Sequence, residues 1–224
     1  MEMRIGIDFD NTLIDYDAVF VAAARERGLI GDDFAGSKRE VRDRIRLLPD
    51  GEIAWQRLQG HVYGAGIAAA TMFAGVDGFL RDCRDRGIEV FVVSHKTRFG
   101  HYDSTGINLR AAAVGWMARH RFFAPDGYGI PVHRVFFEST RAAKLRCIEA
   151  IGCSHFIDDL EEVFADPGFP TATRPILFAA AGRLPRGTVC ASWRQIAAAV
   201  FAESLAPLAG SGRGPRAAWE GEGR

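Results

Sequence analysis

Short apolar runs alternate along the chain with longer segments that have helical periodicity. The helix before the second run has Val76, Phe79, Leu80 and Cys83 on one face, and Gly87 supplies its C-terminal stop. Buried strands are predicted at 3–9, 88–94, 132–137, 154–158 and 175–179. This alternation predicts an α/β fold with a doubly wound parallel sheet that helices cover on both faces.

The segment between the first strand and this helix is much longer than a simple crossover needs. It looks helical throughout and begins with apolar positions such as Val19 and Phe20 on one face, with Asp15 as a plausible N-cap. We therefore expect a helical insertion over residues 15–75 that covers the carboxyl edge of the sheet as a lid. Residues 1–14 and 76–205 would form the core.

The composition changes after Ala206 to a Gly-rich, charged segment. Such a segment buries too little apolar surface to offset its ordering entropy, so residues 206–224 are expected to form a disordered tail.

Charge and cysteine content narrow the class of protein. The 224 residues include 28 Lys and Arg and 28 Asp and Glu, so no net field favours nucleic acid or an anionic membrane. The four cysteines form no C-x-x-C pair, which indicates neither zinc nor a disulfide framework and fits a reducing cytoplasm. No apolar stretch is long enough to span a bilayer, so we expect a soluble protein.

An acidic loop follows the first predicted strand, in the segment IGIDFDNTLID. Asp8 and Asp10 stand two residues apart, so in an extended segment one carboxylate could attack a substrate while the other reaches its leaving group. The alternative is a solvated turn that caps the next helix. The position at the carboxyl edge of a doubly wound sheet, where such folds bind ligands, favours a functional role.

Polar groups also follow the later strands. Ser94 and His95 end the second strand, where a hydroxyl and backbone N–H groups suit a phosphate. Lys144, one of only three lysines, falls in the opening turns of a helix, where the dipole disfavours cations and an anion nearby would compensate. Asp158 and Asp159 end another strand and make a plausible site for a hard cation with Asp8 and Asp10.

In this order, D-x-D-x-T, Ser, Lys and Asp-Asp resemble the four motifs of the haloacid dehalogenase-like superfamily of phosphohydrolases. The resemblance covers residues 8–162. It implies a Rossmann-like sheet with a helical cap inserted after the first motif. By matching, Asp8 would be the nucleophile and Asp10 the general acid and base, while Ser94 and Lys144 would hold the phosphoryl oxygens. With Asp10 and His95, these two residues make up the predicted phosphate site.

The resemblance also implies Mg²⁺, held by the Asp8 carboxylate, the Asp10 backbone carbonyl and the paired acids Asp158 and Asp159. Family members use either position of such a pair, so the direct ligand stays open. Glu162 would take an outer-shell role.

The function implied is a Mg²⁺-dependent phosphatase of a small phosphomonoester. Dehalogenase-like and phosphonate-cleaving branches of the superfamily lack an acid at the position of Asp10, which favours phosphate ester cleavage. Two alternatives stay open: a phosphotransferase or mutase that uses the same aspartyl-phosphate, and a phosphate-binding or regulatory protein without turnover.

Substrate selectivity would lie in the insertion and in the loop of residues 96–104. Lys96, Arg98 and His101 of this loop either contact substrate or form a solvated surface. Trp55, Tyr63 and Phe73 of the insertion either stack on a substrate ring or fill the core of the insertion.

Overall fold

The computed structural model describes residues 3–102 and 105–204. The predicted disordered tail, 206–224, lies outside these residues.

A parallel sheet forms the centre of the molecule, as the strand pattern predicts. Within the described residues it has six strands in the order β5-β4-β1-β6-β7-β8. These strands are β1 (Arg4–Ile7), β4 (Glu89–His95), β5 (Val135–Glu138), β6 (His155–Asp158), β7 (Arg174–Phe178) and β8 (Thr188–Cys190). The pattern missed β8, and residues 132–134 form a turn of 3-10 helix where we predicted strand.

The site depends on three neighbouring strands. β1 pairs in parallel with β4 on one side and with β6 on the other. Their carboxyl ends therefore meet at one edge of the sheet, next to the end of the central strand.

Helices cover both faces of this sheet. One apolar cluster packs around Ile5, Ile7, Phe79 and Trp193, and the other around Phe156. The helices are α1 (Asp17–Glu26), α2 (Lys38–Ile45), α3 (Gly51–Tyr63), α4 (Val76–Asp85), α5 (Leu109–Arg119), α6 (Arg141–Ile151), α7 (Glu161–Phe164) and α8 (Trp193–Ser204). The doubly wound α/β prediction is confirmed.

Helices α1, α2 and α3 lie between two short strands that pair with each other. β2 (Ile14–Asp15) and β3 (Thr71–Met72) form an antiparallel ribbon. The three helices share an apolar interior in which the rings of Phe20 and Trp55 stack with centroids 5.0 Å apart. Trp55 is therefore a core residue of this segment.

Two details of the segment differ from the sequence-based expectation. Tyr16, not Asp15, is the N-cap of α1, and it makes no side-chain capping bond. The Asp15 carboxylate instead accepts from the backbone N–H of Asp17 at 2.9 Å. A loop over residues 28–37 separates α1 from α2, so the segment is not helical throughout.

Within the described ranges, every helix is too short or too polar to cross a bilayer.

Candidate active site

A buried lysine joins two of the predicted acids. Asp8 directly follows β1, and its backbone N–H donates to the carbonyl of Ile157 on β6 at 2.8 Å. The Lys144 Nζ, from the first turns of α6, donates to Asp8 Oδ1 at 2.5 Å and to Asp158 Oδ2 at 2.6 Å. All three residues are at most 5% exposed. The strand ends and one helix thus bring together charges that lie 136 residues apart in sequence.

Burial changes the proton affinity of this cluster. It raises the pKa of Asp8 to about 7, and the charge of Asp158 adds to the effect while Lys144 opposes it. Burial also raises the pKa of Asp159, and here Asp158 and Asp8 add to the effect. For Lys144 burial opposes the charge, but Asp158 and Asp8 together raise its pKa. Lys144 therefore bridges two carboxylates, and a third, that of Asp159, lies close to both.

The acids fit a hard metal ion. Asp8, Asp158 and Asp159 each present a carboxylate oxygen within 4.8 Å of the others. Asp158 Oδ1 also accepts from the Leu160 backbone N–H at 2.9 Å, and Thr12 Oγ1 donates to Asp159 Oδ1 at 3.5 Å. With Lys144 counted, the cluster keeps an excess of two negative charges when all three acids are ionised. A divalent cation with oxygen preference, such as Mg²⁺, would neutralise that excess.

Asp10 belongs to a second, separate ion pair. The Lys96 Nζ donates to Asp10 Oδ1 at 2.9 Å and to Asp10 Oδ2 at 2.7 Å. The Tyr16 hydroxyl donates to Asp10 Oδ1 at 2.8 Å. Lys96 is 3% exposed, so it is not part of a solvated surface loop. These contacts fix the orientation of the Asp10 carboxylate.

Ser94 and His95 differ in their surroundings. Ser94 is buried at the end of β4 and lines the same cavity as Asp8. His95 also lines the cavity but is exposed, and its Nε2 lies 3.0 Å from the Ser139 carbonyl oxygen. The structure therefore brings Ser94 to the acidic cluster and directs the His95 ring toward Ser139.

Glu162 does not line this cavity. Its carboxylate lies 3.8 Å from the Arg141 guanidinium on an exposed surface. Arg141 itself lines the cavity, beside Lys144.

A cavity of about 440 Å³ opens above these residues, a volume suited to a small molecule. Side chains from the segments that follow the sheet strands line one part of it, including Lys96 and His101. Helices α2 and α3 line it with Lys38, Gln56, Gln59, Gly60 and Tyr63.

Two of these side chains, Lys38 and Tyr63, face the cavity from the insertion. The Lys38 Nζ lies 5.3 Å from the centroid of the Tyr63 ring. Burial opposes the charge of Lys38, but Tyr63, Asp10 and Asp159 raise its pKa. Phe73, by contrast, packs against Phe178 with centroids 5.0 Å apart and does not line the cavity.

Sequence reasoning missed Lys38 and left Lys96 open. For Lys96 a signal existed: it stands two residues after Ser94, and its backbone N–H donates to the Glu138 carbonyl at 2.9 Å, so the strand geometry continues past Ser94. Residues two apart in a strand share a face. For Lys38 the one signal in the sequence was the rarity of lysine in this chain.

The sequence matches no family model, and no curated protein matches it. Solved structures do resemble the fold. A HAD-superfamily hydrolase from Ehrlichia chaffeensis is 15% identical over 92% of this chain and 98% of its own, with a TM-score of 0.53. A HAD family hydrolase from Deinococcus radiodurans, solved with bound phosphate and sodium, is 15% identical over 91% and 97%, with a TM-score of 0.53. A haloacid dehalogenase-like hydrolase from Streptococcus pneumoniae is 12% identical over 88% and 97%, with a TM-score of 0.55.

Proposed function

Because this chain has the fold of the haloacid dehalogenase-like superfamily, we propose that it is a Mg²⁺-dependent phosphatase that hydrolyses a small phosphomonoester through an aspartyl-phosphate at Asp8. One observation carries the proposal. The Lys144 Nζ bridges Asp8 and Asp158 at 2.5 and 2.6 Å beneath a cavity whose wall also holds Asp10. A nucleophile, a cation and a second acid therefore face one small-molecule site.

The first step forms the covalent intermediate. A carboxylate oxygen of Asp8 attacks phosphorus, and the bond from phosphorus to the ester oxygen breaks. The leaving oxygen takes a proton from Asp10 and departs as an alcohol. Lys144 and Ser94 hold the phosphoryl oxygens during this transfer, and Lys96 and Tyr16 keep the Asp10 carboxyl group aimed at the leaving oxygen.

The second step regenerates Asp8. Water attacks the phosphorus of the aspartyl-phosphate, and Asp10, now ionised, accepts a proton from that water. Inorganic phosphate leaves, the Asp8 carboxylate is free again and Asp10 is again protonated. Atoms and protons therefore balance over the cycle.

Asp8, the Asp10 backbone carbonyl, Asp158 and Asp159 would hold the metal ion. When bound, Mg²⁺ supplies positive charge that offsets the repulsion between a phosphate and the carboxylate that attacks it. The proximity of three carboxylates supports this assignment. The phosphate and sodium bound by the Deinococcus radiodurans protein support a phosphate and cation site in this fold.

The insertion of residues 15–75 would act as a cap on a core formed by residues 1–14 and 76–205. The support is the cavity wall, which α2 and α3 complete with polar side chains. A cap that excludes water strengthens the charge interactions between substrate, Lys144 and Asp8.

The test is phosphate release from a panel of small phosphomonoesters with Mg²⁺ and with a chelator. We expect release that requires Mg²⁺ and that falls by at least about 10³-fold in Asp8→Asn, because the covalent step is lost. The matched control is Asp82→Asn, which changes an exposed acid on α4 and should retain wild-type activity.

Three further assays separate the alternatives. Transfer of the phosphoryl group to an added alcohol, in place of release, would favour a phosphotransferase or mutase. Halide release from a haloacid without phosphate ester turnover would contradict the phosphatase. A folded protein that binds phosphate but turns over no ester would favour the binding or regulatory role.

A further inference from the structure

All three lysines of the chain line one cavity. The lysines of the sequence are Lys38, Lys96 and Lys144, and arginine occupies every other strongly basic position. The three residues come from α2, from the segment after β4 and from α6, yet each borders the same space. Lysine presents a compact ammonium charge, which suits a charged ligand of small size.

Two of these ammonium groups are bound to carboxylates. Lys144 pairs with Asp8 and Asp158, and Lys96 pairs with Asp10. Across the described ranges, no carboxylate lies within salt-bridge distance of the Lys38 Nζ. Its side chain forms a hydrogen bond with the Tyr63 hydroxyl, and the ring centroids of Tyr63 and Phe20 lie 5.3 and 5.5 Å from the Nζ. The carboxylates of Asp10 and Asp159 favour its charge from beyond salt-bridge distance. Of the three lysines, Lys38 is thus the one with no carboxylate in direct contact, so its ammonium group can bind an anion from the cavity.

The position of Lys38 in its helix also favours an anion nearby. Lys38 is the first residue of α2, directly after the N-cap Ser37. A helix dipole disfavours a cation in this first turn, so the placement costs stability unless an anion compensates it. Hydrogen bonds nevertheless hold the backbone of Lys38 in this position. Ser37 and Glu40 form a capping box, and the Lys38 backbone N–H donates to Asp17 Oδ1 at 2.8 Å.

The residues that α3 adds to the cavity wall carry no charge. Gln56 and Gln59 of α3 border the same space. Carboxamide groups can donate hydrogen bonds to an anion without adding charge. The insertion therefore presents one cation and two amides to the cavity, opposite the acidic cluster of the core.

We propose that Lys38 binds a second anionic group of the substrate, so that the phosphomonoester also carries a carboxylate or a second phosphate. This inference rests on the proposed phosphatase function and narrows its substrate class. Lys144 and Ser94 hold the phosphoryl group that is transferred, and Lys38 holds the other anion from the cap side. Phosphomonoesters with an uncharged remainder are then poor substrates.

The test measures binding with probes that are not ester substrates. Propylphosphonate, 3-phosphonopropionate and propane-1,3-bisphosphonate share a three-carbon frame, and the last two add a carboxylate or a second phosphonate. Calorimetric titration in Mg²⁺ compares wild type with Lys38→Met and Lys38→Arg. The control is Arg39→Met, an exposed residue beside Lys38 that does not line the cavity.

We expect wild type to bind at least one dianionic probe about 10-fold or more tightly than propylphosphonate, since a charge-assisted hydrogen bond is gained. Lys38→Met should lose that preference and keep its affinity for propylphosphonate. Lys38→Arg should retain most of the preference, and Arg39→Met all of it. Which probe is preferred distinguishes a carboxylate from a phosphate.

Several outcomes would overturn the inference. Equal loss of all three probes in Lys38→Met would mean that Lys38 binds the transferred phosphoryl group or supports the fold. No preference in wild type, or no binding of any probe, would refute a second-anion site. The phosphatase proposal is decided separately, by Asp8-dependent phosphate release from any ester of a panel that includes esters with and without a second anionic group, so either can fail without the other.

Discussion

Asp8 lies in surroundings that disfavour the ionised form of its carboxyl group. The side chain is almost fully buried between two other acids, and only Lys144 counters them. A carboxylate that is poorly solvated is a better nucleophile than one in water, but its ionisation destabilises the metal-free fold. The residue that would perform the chemistry is therefore expected to reduce stability.

This conflict predicts a pH-dependent stability difference. Asp8 has a folded-state pKa of about 7, above its ordinary 3.8, so the folded form binds its proton more tightly than the unfolded form does. Its contribution is present in full below the ordinary value and is lost as pH rises through about 7. Between pH values of about 6 and 8, the free energy of unfolding of metal-free wild type should fall by about 1 kcal/mol relative to that of Asp8→Asn.

Thermal melts in a chelator measure this change, with an expected relative shift in melting temperature of roughly 2–4 °C. Titrating groups outside the acidic cluster are common to both proteins, so they cancel in the difference. Asp82→Asn serves as the control and should follow wild type. A difference between Asp8→Asn and wild type that is the same at both pH values would contradict the burial argument.

At the same scale, Lys96 shows where sequence reasoning stops. Motif order predicted Asp8, Asp10, Ser94, Lys144 and the acid pair, because strand ends converge in a parallel sheet. For Lys96 the sequence offered only its spacing of two residues from Ser94, which indicates a shared face but neither the burial nor the partners of the side chain. Only the structure shows that Asp10 accepts hydrogen bonds from Lys96 and that the rings of Phe9 and Tyr63 lie beside its Nζ.

Among the elements, β1 has a position at which a side chain would collide with residues packed beside it. Gly6 lies at its centre, and a Cβ there would stand 2.6 Å from the Phe156 ring and 2.9 Å from Cys153 Sγ. The neighbouring strands hold β1 on both sides, so it cannot move to make room. Glycine is required here for close packing and not for backbone conformation.

Alanine at two glycines should therefore have opposite effects. Gly6→Ala should destabilise by about 1–3 kcal/mol because it overpacks the core. Gly78→Ala, on the exposed face of α4 where no atom lies within 4 Å, should stabilise by about 0.5–1 kcal/mol because alanine favours a helix. Urea unfolding midpoints measure both changes. Destabilisation by Gly78→Ala, or tolerance of Gly6→Ala, would count against this description of the packing.

The elements that sequence patterns missed are short. β2, β3 and β8 have only two or three residues each, so they offer no period to detect. Long apolar runs such as 88–94 were found within a residue of the observed β4. Periodicity thus identifies elements that are long enough to bury a face, and tertiary pairing determines the others.

On the scale of the whole molecule, the acidic cluster links metal binding to stability. Strands β1 and β6, helix α6 and the loop after β6 all contribute to one group of charges. A cation that binds there stabilises every element that carries a ligand, because the unfolded chain does not bring the ligands together.

Mg²⁺ should therefore raise the melting temperature. At about ten times the dissociation constant the gain is about 1.4 kcal/mol, or roughly 3–5 °C for a chain of this size. Sodium chloride at matched ionic strength is the control for screening, and Asp159→Asn should reduce the shift. An equal rise with sodium chloride would show that the effect is not due to a specific cation site.

The ribbon of β2 and β3 also has a consequence for how such a protein can change. Ile14 pairs with Met72 and Asp15 with Thr71, so the chain leaves the core and returns to it at adjacent points. A segment whose ends lie side by side can be exchanged for another without displacing the strands that precede and follow it. Asp8 and Asp10 lie outside the segment between β2 and β3, and Lys38 lies within it. Grafting a different segment onto this ribbon would then alter which molecules are accepted while the reaction performed on them stays the same.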